Sequence, residues 1–182
     1  MIAFYNYIYS DKGLTFYSGK QQQIKSNQIH VSSSIIKEKA LQLGGELYSS
    51  LNYRSELGAH IIAQFLTDNK ESIHYPDLVN YYFKHSVKLP WGIIEHTLCY
   101  VNWYTPHINR DWFYIEDNRD KLSRSHKMYN VELWGKLDKK STFKNFLPVQ
   151  RIVCRFIKGI YTLPGCNLPS TVVIPLNQKF SF

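Results

Sequence analysis

The sequence lacks the features of a secreted disulfide scaffold and of a membrane protein. It has only three cysteines in 182 residues, Cys99, Cys154 and Cys166, and an odd, widely spaced set does not form the framework of a small secreted domain. It has no run of about 18 apolar residues, and no basic segment precedes an apolar stretch at its start, so it predicts neither a membrane span nor a signal peptide. We therefore expect reduced thiols and an intracellular location, the nucleus included.

The glycine and serine motifs of common enzymes are also missing. The 9 glycines never fall into the spacing of a phosphate-binding loop or a dinucleotide fingerprint. No Gly-x-Ser-x-Gly motif supplies a serine nucleophile. The sequence therefore predicts a protein without enzymatic activity and without a cofactor.

Aromatic residues and positive charge are abundant. Trp, Tyr and Phe make up 15% of the chain, and together with plentiful β-branched residues they favour strands. With 44% apolar and 20% charged residues, the chain has the composition of a globular domain. The formal net charge of +8 makes a polyanion a more natural partner than a cationic surface.

The first 38 residues predict an arm and a polar linker. Residues 2–9 alternate in the manner of a strand, and Leu14–Tyr17 can return beside them as the second strand of a hairpin. Residues 18–34 are polar and predict a linker. The stretch Ser34–Leu43 predicts a short helix, which Gly44-Gly45 would end.

Residues 39–182 predict a β module. The strongest alternation runs from Val79 to Leu89 and is followed by a second one from His96 to Tyr104, which together predict an antiparallel hairpin. Residues 105–145 break this rhythm and predict a long loop excursion. Short strands without a βαβ rhythm predict a mostly β fold, a small antiparallel barrel or a sandwich. The other predicted strands are Ala59–Leu66, Val149–Ile157 and Val172–Ile174.

Three groups of residues are candidates for metal or nucleophile chemistry, and each has a simpler explanation. His96-x-x-Cys99 suggests zinc, but residues three apart on a strand point to opposite faces. A thiolate at Cys99 or Cys154 would need a base beside it, whereas a small buried hydrophobe is the usual role of such a residue. An acidic group in the 111–120 loop could hold the cation of a nuclease, and a solvated loop explains it as well. That group is Glu116, Asp117 and Asp120.

The densest aromatic run lies between Val101 and Tyr114 and contains Trp103, Tyr104 and Trp112, with Arg110 among them. Rings beside cations can stack on unpaired bases, or they can enclose a quaternary ammonium group such as methyl-lysine. The alternative is that these rings are core anchors. The run is therefore a candidate stacking or docking surface.

Basic residues near the C-terminal strands are candidate nucleic-acid contacts. On the predicted strand Val149–Ile157, Arg151 and Arg155 lie on one face, and the opposite face is apolar. Such a stripe would bind phosphates, with an affinity that falls as salt rises, although a solvated face is the simpler alternative. The preceding loop adds Lys136, Lys139, Lys140 and Lys144.

Two sequence runs carry a resemblance to a known family. Val101-Asn102-Trp103-Tyr104 followed by His107 and Arg110, and Phe146–Ile152 followed by Arg155-Phe156, resemble the C-terminal modules of proteins encoded by eukaryotic DNA transposons and related mobile elements. The resemblance covers roughly residues 40–176. It implies a bromo-adjacent homology or SH3-like barrel that binds a partner and has no catalytic centre of its own.

Three functions remain open at this point. The first is a non-catalytic nucleic-acid or chromatin interaction module, in which the basic residues contact phosphates and the rings stack or dock. The second is a metal-dependent nuclease or transposase fragment that uses the acidic loop. The third is a viral or structural assembly protein, in which aromatic strands form a protein interface and the positive charge is incidental.

Overall fold

The computed structural model describes residues 1–19, 27–53, 56–66, 69–115, 126–127, 131–138, 140 and 142–176. Within these ranges it is mostly β, with one α-helix. The helix is α1 (Ile2–Ile8), and the strands are β1 (Thr15–Tyr17), β2 (Gln28–His30), β3 (Ile36–Glu38), β4 (Ala40–Leu43), β5 (Glu46–Ser49), β6 (His60–Leu66), β7 (Ser72–Leu89), β8 (Gly92–Pro106), β9 (Tyr114–Ile115), β10 (His126–Lys127), β11 (Glu132–Leu137), β12 (Phe146–Pro148), β13 (Ile152–Tyr161) and β14 (Ser170–Pro175). Short 3-10 helices span Ser10–Lys12, Glu56–Ala59, Phe143–Asn145 and Val149–Arg151.

Eight strands form one antiparallel sheet, and six of them are paired in a closed circuit. β6 pairs with β7, β7 with β8, β8 with β11, β11 with β14, β14 with β13, and β13 again with β6. The other two strands extend the sheet, since β12 pairs with β8 and β3 with β7. The prediction of a mostly β, antiparallel fold is thus confirmed.

The long hairpin β7–β8 is the centre of the sheet. Its predicted hairpin pairing forms, and the predicted alternation of burial holds from Phe83 to Leu89. Before Phe83 the alternation is broken, because a register shift lies between Val79 and Tyr81 and Tyr82 is completely buried. The strand also starts earlier than the sequence predicts, at Ser72.

Pro76 lies within β7 although proline cannot donate to a strand ladder. It is tolerated because its register partner is Ile62 of β6, while the pairing with β8 begins only at Asp77.

The predicted helix over Ser34–Leu43 is wrong, because this segment forms β3 and β4. Gly44 and Gly45 do not end a helix but form the two-residue loop of the β4–β5 hairpin, in which Leu43 pairs with Glu46. Both glycines have positive φ angles, 56° and 85°. That is the requirement of a tight hairpin turn, which Gly-Gly meets without steric cost.

The predicted N-terminal hairpin arm is also wrong, because residues 2–8 form α1 and β1 pairs in parallel with β2. Phe4 and Tyr5 of α1 are buried in a cluster with Phe83 and Leu98 of the central hairpin. Met1, Ile8 and Tyr9 pack against this cluster as well. Their spacing of three and four places them on one side of a helix. The same residues also alternate with a period of two, which is why the sequence predicts a strand here. The division of the chain at residue 38 remains a prediction.

The predicted loop excursion over residues 105–145 contains a strand of the sheet. β11 lies inside it and pairs with both β8 and β14. Its residues Leu133 and Trp134 are completely buried, so this part of the excursion belongs to the core. Within the described ranges, no helix combines the length and hydropathy that crossing a bilayer requires.

Candidate nucleic-acid interface

A cleft of about 680 Å³ opens beside α1, where β6, β7 and β8 meet the segment that leads from β11 into β12. Three rings, Phe65, Tyr75 and Trp103, line one side, which we call the aromatic wall. Three cations, which we call the basic wall, also line the cleft: Lys140, Lys144 and Arg151.

Strand register places the aromatic wall on one face of the sheet. Tyr75 is the partner of Ala63, and Trp103 is the partner of Asp77, two residues further along β7. Because alternate residues of a strand point to the same face, Phe65 on β6 shares the face of these two rings. Each of the three side chains is half-buried, so the rings are anchored in the sheet and still reach the cleft.

The three rings meet edge to face. The centroid of Trp103 lies 5.2 Å from that of Phe65, with an interplanar angle of 63°, and 6.2 Å from that of Tyr75, at 86°. Phe65 and Tyr75 are 6.1 Å apart at 81°. Edge-to-face contacts at these distances stabilise aromatic pairs beyond their burial, so the wall is held in one arrangement.

Trp103 is linked directly to the basic wall. Its Nε1–H donates a hydrogen bond of 3.1 Å to the backbone carbonyl of Lys144. The 3-10 helix that carries Lys144 is held by Asn145, whose buried amide donates to the carbonyl of Val101 at 2.6 Å and accepts from the backbone N–H of Thr142. The two walls therefore share a common anchor on β8.

The basic wall differs from the ion-paired cations of the chain because no carboxylate among the described residues lies within ion-pair distance of Lys140, Lys144 or Arg151. All three are exposed. The guanidinium carbon of Arg151 lies 5.0 Å from the centroid of Phe65, which places a cation against a ring of the aromatic wall. The three charges are thus available to an external anion.

The predicted basic residues are only partly brought together. Lys140 and Arg151 line the cleft, and Lys136 is exposed on β11. Arg155 is partly buried and forms an ion pair with Glu46 at 3.4 Å. Lys139 lies outside the described residues.

The predicted aromatic residues are separated as well. Trp103 lines the cleft, whereas Tyr104 contributes to its lining but is only 4% exposed, with its hydroxyl 3.5 Å from Nδ1 of His60. Trp112 is exposed and does not line the cleft. Arg110 donates from Nε and a terminal nitrogen to Oε2 of Glu132, and its guanidinium lies over the ring of Trp134.

Sequence reasoning missed two of the three rings of the aromatic wall. Phe65 and Tyr75 lie outside the dense aromatic run, on different strands. The signal that could have found Phe65 is the parity of β6, which places it on the face of Ile61 and Ala63. Tyr75 precedes Pro76, and a proline indicates a turn more often than the interior of a strand.

The candidates for metal or nucleophile chemistry do not converge. Cys99 is fully buried and its thiol lies 3.5 Å from the carbonyl of Leu147, while His96 faces Tyr9, with Nε2 3.0 Å from the hydroxyl. Burial raises the pKa of Cys99 and that of Cys154, the latter to about 11. Among the described residues, no three His, Cys, Asp or Glu side chains are arranged to hold a metal ion. Glu116, Asp117 and Asp120 lie outside these residues.

A buried carboxyl group lies next to the aromatic wall, because Asp77 is the register partner of Trp103. Asp77 is completely buried, and neither of its oxygens has a hydrogen-bond partner among the residues that the structure describes. Burial raises its pKa well above the ordinary value, because the low-dielectric interior disfavours the charged form.

Comparison with known proteins gives no relative. The chain matches no protein-family model, no characterised protein and no solved structure.

Proposed function

We propose that this chain is a non-catalytic nucleic-acid-binding module and that the nucleic acid occupies the cleft. The observation that carries the proposal is the contrast between two sets of cations. Arg110, Arg155 and Lys158 are neutralised by carboxylates within 4 Å, whereas the basic wall is exposed beside half-buried rings. Phosphate groups of a nucleic acid can form ion pairs with such cations, and its bases can stack on such rings.

Nucleic acid is favoured over a histone tail. Trp103, Phe65 and Tyr75 could enclose a methylated ammonium group by cation–π attraction. The basic wall, however, repels a cationic peptide, and the guanidinium of Arg151 already lies against Phe65. The net charge of +8 likewise repels a cationic peptide and attracts a polyanion.

The scaffold in this proposal is a small β-barrel. The closed circuit of six paired strands supports it, and the cluster of Ile62, Tyr104, Trp134, Phe156 and Val173 draws its members from five of those strands. Membership of the mobile-element modules, with their bromo-adjacent homology or SH3-like barrels, is a proposal supported by the two sequence runs given above.

The proposal is tested by fluorescence anisotropy with a labelled mixed-sequence oligonucleotide at several salt concentrations. Each phosphate contact contributes about 0.7 to 0.9 to the slope of log affinity against log salt. Replacing Lys140, Lys144 and Arg151 together by Ala should lower this slope by about two to three.

Lys88→Ala is the matched control, because Lys88 is exposed at the far end of the hairpin. It should leave the slope unchanged, because Lys88 does not line the cleft. Equal affinity of the unchanged protein at low and moderate salt would overturn the proposal.

A further inference from the structure

We infer that the ligand of the cleft is an unpaired strand, with Trp103 as the platform on which a base stacks. This inference rests on the proposed function and narrows it from nucleic acid in general to single-stranded DNA or RNA.

The position of the rings favours an unpaired base. The aromatic wall is partly recessed, since Phe65, Tyr75 and Trp103 are half-buried and line an open-sided cleft. In a duplex, the faces of the bases are covered by their neighbours, and the backbone surrounds them. Only a base that has left the stack can place its face on a recessed ring.

The size of the cleft agrees with this ligand. Its volume of about 680 Å³ lies within the range of roughly 300 to 1,000 Å³ that is typical of pockets for small ligands. A nucleotide of a flexible single strand fits such a space. A nucleotide that remains paired in a duplex brings its partner strand with it and does not.

The arrangement of the two walls lets one strand use both. A single strand carries its bases to one side of the backbone and its phosphates along the other. The indole of Trp103 is bonded to the backbone of Lys144, so a base on the ring brings the adjoining phosphate near that lysine. Arg151 lies against Phe65 in the same cleft, where it can contact a second phosphate.

The polar groups of the cleft predict binding with little sequence preference. The Nε1–H of Trp103 is used by Lys144, the hydroxyl of Thr105 donates to the carbonyl of Lys136, and the amide of Asn145 donates to Val101. These donors are used within the protein, and the carboxylate of Asp138, which also lines the cleft, accepts from the backbone N–H of Lys140. Stacking then provides most of the base contact, and every base has a face that can stack.

The test compares a labelled single strand with its own duplex by anisotropy at low salt. We expect the single strand to bind at least about tenfold more tightly and to quench tryptophan fluorescence. Trp103→Leu should weaken single-strand binding about 5- to 150-fold, the equivalent of one stacked base, and leave duplex binding unchanged. Trp103→Phe, which keeps a ring, should retain most of the affinity.

Trp91→Leu is the control, because Trp91 is an exposed indole at the tip of the β7–β8 hairpin. It should not change single-strand binding. If Trp103→Leu fails to fold, Trp103→Met, whose longer and more flexible side chain fills the same space without a ring, provides the same comparison.

The outcomes separate the two proposals. Equal binding of single strand and duplex, or a Trp103→Leu variant that folds and binds like the unchanged protein, would overturn the inference and leave the proposed function intact. Binding of neither nucleic acid would defeat the proposed function itself.

Discussion

The hydroxyl of Tyr5 in the N-terminal helix lies 2.7 Å from Nδ1 of His85 in the central hairpin. The other ring nitrogen of His85 lies 2.9 Å from the carbonyl oxygen of Ser32. Because a carbonyl can only accept, Nε2 carries the proton and Nδ1 accepts from Tyr5. This buried chain of hydrogen bonds joins α1, the segment after β2, and β7.

Tyr5→Phe should destabilise the protein by about 1 to 3 kcal/mol, because it removes the hydroxyl and leaves a buried acceptor without its donor. The free energy of unfolding in urea measures this. Tyr161→Phe is the control, since Tyr161 is exposed, and it should change stability by less than about 0.5 kcal/mol. An equally small effect of Tyr5→Phe would contradict the role given to this bond.

Asp77→Asn should make the protein more stable at neutral pH. Burial raises the pKa of this carboxyl above 3.8 in the folded state, so the folded protein holds the proton more tightly than the unfolded chain does. The stability that this more tightly held proton contributes is fully present below about pH 3.8, and it is lost as the pH rises towards the folded-state pKa.

We therefore expect the unfolding free energy of Asp77→Asn to exceed that of the unchanged protein by about 1.4 kcal/mol for each pH unit across that window. Denaturant titrations between pH 4 and neutrality measure the difference. Asp11→Asn, at an exposed carboxylate, should follow the curve of the unchanged protein. Parallel curves for Asp77→Asn would show that the buried carboxyl does not control this pH dependence.

The three cysteines should differ in their reaction with a thiol-specific reagent. Cys166 is exposed, whereas Cys99 and Cys154 are buried, and burial raises the pKa of both buried thiols. Since the thiolate is the reactive form, the native protein should react rapidly at one thiol and the unfolded protein at three. A Cys166→Ser variant should lose the rapid phase, and rapid reaction of that variant would contradict the described burial.

Gly45→Ala should destabilise the β4–β5 hairpin by about 1 to 2 kcal/mol, because Gly45 has a φ of 85° that residues with a Cβ rarely adopt. Gly159→Ala in β13 is the control, since an added Cβ would approach the side chain of Val172 no closer than 3.4 Å. Thermal unfolding compares the two. A larger loss of stability for Gly159→Ala would show that backbone conformation is not the deciding factor.

The strands that could be predicted are those that have one face in the core and the other in solvent. Along β7, Phe83, Val87 and Leu89 are buried while Ser86 and Lys88 are exposed, and such alternation is written directly in the sequence. The N-terminal segment was misjudged because its aromatic residues fit both a period of two and a helical spacing of three to four. Packing against Phe83 and Leu98 decides between the two, and no local pattern records it.

The cleft could be predicted only in part for a similar reason. Trp103 and Arg151 stand in conspicuous runs, but their proximity depends on the pairing of β12 with β8. Phe65 joins them through the register of β6 with β7. Arg155 looked equivalent to Arg151, and only the folded chain shows that Glu46 neutralises it.

β6 and β13 pair along a seam in which Ile61 faces Arg155. This seam joins parts of the chain that are far apart in the sequence. Non-local pairing slows folding, because the entropy of closing a long loop is lost before the contacts are gained. During synthesis, β6 emerges well before β13, so its edge at this seam stays unpaired until the later strand is made. We therefore expect the β6–β13 seam to form late in folding and to make folding slow for a chain of this length.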